Sequence, residues 1–286
     1  MRAYVQTGII ICALTMVAGS RDARGQGVAS SVAQGISDIP ALQSFADVPA
    51  LPTTVAQAFS RYGPITPTSD KETTAKGDVA GEPLRKRIKG WMAPIEAAMR
   101  GVAAGPSSAD YAAMMRGGGR MTAAAGQAMG RILQVAGPMT MDFSKTVQTF
   151  GLTTLPALEA PYERKLDQLF KEYNPRINRC IETSCGDDPK AEYDAAVNAA
   201  ANDFLRSVAP AYDDYRNHLH EIAAQGQAAI DGATKSLGAP VPPMLKTQMA
   251  AVKQNELNAL LASLTAEEDI YTYVLSKAVW PNGMKP

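Results

Sequence analysis

The chain has 286 residues, of which 46% are hydrophobic and only 6% aromatic, and its 28 basic residues balance 28 acidic ones. A neutral chain of this kind carries no electrostatic footprint for nucleic acid, and its size is ample for one or two packed domains. Alanine and methionine dominate the apolar set, a composition that favours helix over strand.

Residues 1–25 begin with one basic residue, Arg2, continue through an apolar run from Gly8 to Ala18, and end in small residues. This is the pattern of a secretory leader. The apolar run is about half the roughly 20 residues that a membrane span needs, so no stable span is expected after cleavage. Ala23-Arg24-Gly25 fits the small-x-small rule for a cut after Gly25 better than the alternative after Gly19, and Cys12 lacks the neighbours of a lipidated cysteine. Loss of Arg2, Arg21, Arg24 and Asp22 with the leader leaves residues 26–286 at net −2. The expected location is periplasmic or secreted.

Residues 26–83 read as an irregular N-terminal arm and linker. Pro40, Pro49 and Pro52 interrupt short apolar pieces, Ile39 to Phe45 and Val55 to Tyr62, which suit short helices. Gly63 to Pro83 is rich in Pro, Thr, Gly, Lys and Asp, with almost nothing large to bury, and predicts a linker or long loop.

Residues 84–150 form a Met/Gly/Ala-rich helical region. A helix is predicted from Leu84 to Ala104, opening with Arg85-Lys86-Arg87 and Lys89, carrying Trp91, Met92, Ile95 and Met99, and kinked at Pro94. Ser107-x-x-Asp110 resembles a capping box, and Gly117-Gly118-Gly119 stops the short helix it starts. Another helix is predicted from Arg120 to Ala136, with Met121, Ala125, Met129, Ile132 and Ala136 on one face and Gly137-Pro138 as its end.

Residues 151–286 read as the main helical bundle. Leu155, Leu158, Tyr162, Leu166, Leu169 and Tyr173 step by three and four along one helix, which Asn174-Pro175 closes or bends. Asp188-Pro189 then supplies an N-cap and a proline at the first helical position. The longest stripe follows: Tyr193, Val197, Ala200, Phe204, Val208, Tyr212, Tyr215, Leu219, Ile222, Gly226, Ile230, Ala233 and Leu237. Its mean step of about 3.67 residues is closer to a straight helix than to the 3.5 of a left-handed coiled coil. Pro210 lies on its flank, so a kinked but continuous helix is expected, ending at Gly238. Two more helices are predicted, one from Met244 to Leu264 and one opened by the capping box Thr265-x-x-Glu268 and ended by Pro281. The expected fold class is therefore all-α, an irregular helical bundle with a long disulfide-clipped helical hairpin.

The clip is Cys180 with Cys185, the two cysteines that remain once the leader takes Cys12. They flank Ile181-Glu182-Thr183-Ser184 at the turn between the two longest helices, and in an oxidising compartment their bridge closes a small loop at a gain of about 2 kcal/mol. His218 and His220 stand two residues apart on a helix, on opposite flanks, and do not share an ion readily. Met92, Met99, Met114, Met115, Met121, Met129, Met139 and Met141 are soft ligands that raise copper as an option, although methionine more often fills irregular cores. Glu159, Glu163 and Asp167 line one side of a helix and Asp213-Asp214 another, rows that are usually solvated. Tyr162, Tyr173, Tyr193, Tyr212 and Tyr215 are expected between helices. No serine-nucleophile elbow, zinc-protease motif or phosphate loop occurs, and no residue is assigned to catalysis, cofactor binding or metal binding. The leading expectation is a non-enzymatic exported binding or assembly protein of the cell envelope. Its partner is expected to be another envelope protein, with peripheral membrane contact possible through the basic cluster at Arg85 to Lys89. The alternatives are an enzyme with a carboxylate-based site formed only in the fold, or a copper-binding protein.

Overall fold

A computed structural model describes residues 36, 38–62, 65–67, 73–75, 81–103, 123–183, 186, 188–237 and 243–279. In chain order they form a 3-10 turn Gln43–Asp47, helix α1 Val55–Tyr62, strands β1 Ile65–Pro67 and β2 Thr73–Ala75, α2 Glu82–Ala103 and α3 Ala123–Thr149. A π-helical segment Phe150–Thr154, α4 Leu155–Thr183, α5 Pro189–Leu237 and α6 Pro243–Leu275 follow. Every long element is helical. The exception to an all-α chain is β1–β2, an antiparallel ribbon with Ile65 opposite Ala75 and Pro67 opposite Thr73, inside the stretch whose composition predicts a linker. Three-residue strands are too short to leave an alternating pattern in a sequence.

The frame of the molecule is a long antiparallel hairpin. α3, the π segment and α4 run without a break from Ala123 to Thr183, about 90 Å of helix, and α5 returns along both. The expected cap starts α5: Asp188 Oδ1 accepts the Ala191 N–H at 2.9 Å, with Pro189 at the first helical position. Phe150 stacks on Tyr215 with centroids 4.2 Å apart, Tyr162 on Phe204 at 5.0 Å, and Tyr173 meets Tyr193 at 5.9 Å. Every member of the predicted stripe from Val197 to Ala233 is buried.

Four prolines lie inside these helices: Pro138 in α3, Pro161 and Pro175 in α4, and Pro210 in α5. All four are exposed, and none ends its helix. The expected stop at Gly137-Pro138 is therefore corrected, Asn174-Pro175 does not close its helix, and the continuous helix through Pro210 stands. An interior proline removes one backbone bond and strains its preceding turn. Ile132 and Met139, buried on either side of Pro138, anchor α3 across that defect.

α6 is the innermost element. It packs on α5, α3, α2, α1 and β2, and between Leu245 and Leu275 only Asp269 is exposed. The two helices predicted here are one, because Glu268 does not cap at Thr265. Its Oε2 instead accepts from Arg85 Nη2 of α2 at 2.8 Å, and packing on all sides keeps the backbone helical through position 265.

The N-terminal segment is irregular in backbone, as its prolines imply, yet it is a strap across the core. Ile39, Phe45, Val48, Leu51, Val55, Phe59 and Tyr62 are all buried in the same cluster as the long helices. Asn202 Oδ1 accepts the Val55 N–H at 2.7 Å, and Arg216 Nη1 donates to the Val48 carbonyl at 3.3 Å, tying the strap to α5. At the other end of the hairpin, between Tyr162 on α4 and Val197 on α5, Leu169 and Pro189 are the only buried residues among those described. That tip is a two-helix arm, braced by Arg176 Nη2 to Glu192 Oε2 at 2.8 Å.

Gly226 marks the closest approach of helices. A Cβ there would stand 2.8 Å from Val252 Cγ1 and 2.9 Å from Met139 Cε and Sδ. Met139 can swing aside, but the stiff Val252 cannot. Gly226→Ala is expected to lower stability by about 1 kcal/mol in spite of alanine's better helix propensity. Adding Val252→Ala should recover part of that loss in denaturant titrations, whereas independent sites would give additive losses.

Candidate functional site

The interior of α6 carries four buried polar residues, Lys253, Glu256, Ser263 and Glu267. Three and four residues apart, Lys253 and Glu256, like Ser263 and Glu267, are neighbours on the helix surface. The fully buried Lys253 Nζ donates to Glu256 Oε2 at 2.8 Å, to the Ile39 carbonyl at 3.2 Å and to Gln227 Oε1 of α5. Three donors meet three acceptors, so the ammonium is satisfied. The other Glu256 oxygen, Oε1, has no hydrogen-bond partner among the described residues. Burial pushes the Glu256 carboxyl up to about 7; Lys253 opposes the shift and Asp231 adds to it.

About two turns before α6 ends, a second group centres on Glu267. Glu267 Oε1 accepts from Tyr62 OH at 2.7 Å and from Arg61 Nη1 at 3.0 Å, and the Tyr62 ring lies 4.2 Å from that of Tyr271. Tyr212 OH of α5 donates to the Ser263 carbonyl at 3.1 Å. The strap is thus bonded to α6 near both its ends, Ile39 to Lys253 and Arg61-Tyr62 to Glu267.

Two shallow, adjoining depressions lie between strap and α5. One, of about 310 Å³, is lined by Asp38, Ile39, Pro40, Gln43, Gln227 and Asp231. The other, of about 460 Å³, is lined by residues of the strap with Arg216, Asn217 and His220. Gln227 and Ile39 both line the first and bond Lys253, so the buried pair sits just behind its wall. The bonded groups turn inward and fix the strap, and the open side offers carboxylates of Asp38 and Asp231.

Compared with protein-family models, curated proteins and solved structures, the chain matches none. Its residues alone carry the functional reading.

The residues singled out from the sequence fall in separate places. Cys180 is in the last turn of α4, while Cys185 lies outside the described residues, as do Cys12, Met114, Met115, Met121, Ser107 and Asp110. His220 packs on Phe45 with ring centroids 5.1 Å apart, and His218 Nδ1 faces Glu221 Oε2 at 3.4 Å, so the two histidines diverge. Met139 is buried against α5 and α6 but Met141 is 74% exposed, so the tightest methionine pair points two ways. Met92 Sδ accepts from Gln254 Nε2 at 3.1 Å. Among the described residues no group of three or more His, Cys, Asp or Glu is placed to hold a metal ion.

The row Glu159, Glu163 and Asp167 is not one solvated face. Glu159 is buried, because it lies three residues before Tyr162 on the packed stripe. Glu163 Oε1 accepts from Tyr273 OH and Lys277 Nζ, both at 3.2 Å, and Asp167 alone is open. Sequence reading missed Lys253, Glu256 and Glu267; the one available signal was charge at steps of three and eleven residues among the apolar positions of the segment.

Lys253→Met removes three bonds and leaves Glu256 buried without its partner, a loss of about 3 kcal/mol in chemical denaturation at pH 8. Glu256 binds a proton more readily folded than unfolded, so its contribution to stability is complete below its unfolded pKa and is lost as pH rises through about 7. Glu256→Gln is therefore expected to flatten the fall in Tm between mildly acidic and mildly alkaline pH, and a steeper fall in the variant contradicts the assignment.

Proposed function

We propose that the chain is an exported, non-enzymatic binding or assembly protein of the cell envelope, periplasmic or secreted, whose long helical hairpin is its docking surface. The observation that carries this reading is the exposure of large apolar side chains along one helix. Leu133, Met141, Leu152, Phe170 and Ile181 are 52–77% exposed on the run from α3 to α4. Scattered single apolar residues are ordinary on a surface, but five large ones along a single helical run are a mark of interaction. Export rests on the leader pattern of residues 1–25. Among the described residues no helix is long and apolar enough to cross a membrane.

The proposal includes the Cys180–Cys185 bridge. The two-helix arm that such a bridge would close has few buried residues of its own, so a covalent tie there has the most to add. Peripheral lipid contact is the weaker partner, because two charges of the basic cluster are already engaged, Arg85 with Glu268 at 2.8 Å and Arg87 with Asp47 at 2.6 Å. For the carboxylate-enzyme alternative, buried carboxylates from different helices must face one cavity. Glu256 and Glu267 share α6, and their bonded oxygens are turned to Lys253 and to Arg61-Tyr62.

Crosslinking in intact cells, followed by identification of attached proteins, tests the reading. The expected result is a defined envelope protein joined through α3 or α4; recovery of the chain in the cytosol with its leader intact contradicts it. Thiol labelling of the purified protein should mark Cys180 and Cys185 only after reduction.

A further inference from the structure

We propose that the leading end of the strap, residues 38–45, is a proton-operated latch. It lies closed on α5 and α6 while Glu256 carries a proton and lifts away when that proton leaves, the rest of the strap staying in place. This inference stands apart from the docking reading and does not depend on it.

The geometry around Lys253 carries it, because one buried ammonium serves a neighbourhood with an excess of carboxylates. Glu256 is fully buried beside it and has Lys253 as its one ion-pair partner among the described residues. Its Oε1 makes no hydrogen bond there. Asp38 of the strap and Asp231 of α5 line the depression beyond the wall that Ile39 and Gln227 form. Gln227 Nε2 donates to Asp231 Oδ1 at 2.7 Å, and from α3 Arg131 comes within 4.0 Å of the Cβ position at Gly232, next to Asp231. An ionised Glu256 thus leaves charge on an unbonded oxygen in a dry site, and a proton removes that charge. Burial pushes the carboxyl up to about 7, with Lys253 opposing the shift and Asp231 adding to it.

Lifting the latch relieves this site without orphaning the ammonium. Lys253 exchanges the Ile39 carbonyl, at 3.2 Å, for water and keeps Glu256 and Gln227, because those acceptors belong to α6 and α5. Water enters through the depression and hydrates Glu256 Oε1, a gain that exists only for the ionised form. The movement stops at Val48, whose carbonyl accepts from Arg216 at 3.3 Å; further along, Asn202 holds the Val55 N–H at 2.7 Å. A guanidinium and an amide keep their charge state between about pH 5 and 8. His220 also touches the latch, its ring 5.1 Å from that of Phe45.

The sign follows from linkage. The closed latch holds the Glu256 proton more tightly than the open one, where the carboxyl returns toward its ordinary 4.5. Closure is therefore strongest below that value, opening grows by up to about tenfold per pH unit above it, and the growth levels off beyond about 7.

Amide hydrogen exchange of the purified full chain, with each rate divided by the intrinsic rate at that pH, tests the latch. Ala41, Ser44 and Phe45 donate to the carbonyls of Ile39, Pro40 and Leu42, bonds within single turns that do not persist once the segment is unpacked. Two results are expected. These amides are protected at least about tenfold less than that of Ala58 in α1, which marks a local opening. Their protection also falls at least about tenfold from pH 5 to pH 7.5. Glu256→Gln, with helical content unchanged by circular dichroism, should abolish the fall, Asp231→Asn should make it level off at lower pH, and His220→Phe should leave it in place. Protection equal to that of Ala58 overturns the latch, because the segment then opens only with the whole molecule. Protection indifferent to pH, or a fall that survives Glu256→Gln, overturns it too. If Glu256→Gln does not fold, the exposed Asp231→Asn decides, and a fall that levels off at the unchanged pH contradicts the proposal.

Discussion

The whole arrangement turns on burying charge along the inner side of one helix. Lys253, Glu256 and Glu267 of α6 are fully buried, so they depend for partners on the elements around them. Lys253 and one oxygen of Glu267 are bonded by the strap and α5, through the Ile39 carbonyl, Gln227, Arg61 and Tyr62. An isolated buried ammonium is prohibitively unfavourable, whereas one with three acceptors is tolerable, and the acceptors exist only when the strap lies in one position. Apolar contacts alone would let it slide; directional bonds near its two ends do not. Each group keeps one carboxylate oxygen, Glu256 Oε1 and Glu267 Oε2, with no hydrogen bond among the described residues, and burial holds the Glu256 carboxyl above the usual carboxylate range.

Much of this was legible in the residues, and the reasons for success and failure are physical. α5 was read almost residue by residue, because one of its faces is wet and periodicity reports a half-buried helix faithfully. The Asp188-Pro189 start was readable because capping is local chemistry. α6 was misread as two helices because the Thr265-x-x-Glu268 pattern looks like a start, and Arg85 of α2, which takes Glu268 instead, is remote in sequence. The stop at Pro138, and closure at Asn174-Pro175, failed for a related reason: proline is a local penalty, and the surrounding long-range packing is not visible locally. The strap was the hardest to foresee. Its prolines correctly forbade regular structure, but irregular backbone and buried side chains are compatible, as Phe45, Leu51 and Phe59 show.

The same contrast separates the two ends of the molecule. Around α6 the packing is densest, and Lys253, Glu267 and Glu268 all find partners on neighbouring elements. Toward the tip of α4 and α5 the core thins to aromatic contacts such as Tyr173 with Tyr193, and large apolar residues face outward. A rigid end carrying a lightly packed arm is an economical way to present an extended surface, since helices hold the exposed residues in fixed register without a third layer beneath them. Candidate chemistry is distributed accordingly. The buried carboxylates and the lysine stabilise one end, and the exposed residues that lack partners lie along the hairpin.

Native-state hydrogen exchange measures this division most directly, because it reports the free energy of opening amide by amide. If α6 is the element on which the rest depends, its amides from Leu245 to Leu275 exchange only through global unfolding, with those of Val55 to Tyr62 protected nearly as well. Amides of Lys165 to Cys180 and of Ala191 to Ala196 should exchange through smaller, local openings. Fast exchange in α6 while the tip remains protected would contradict the account at its centre.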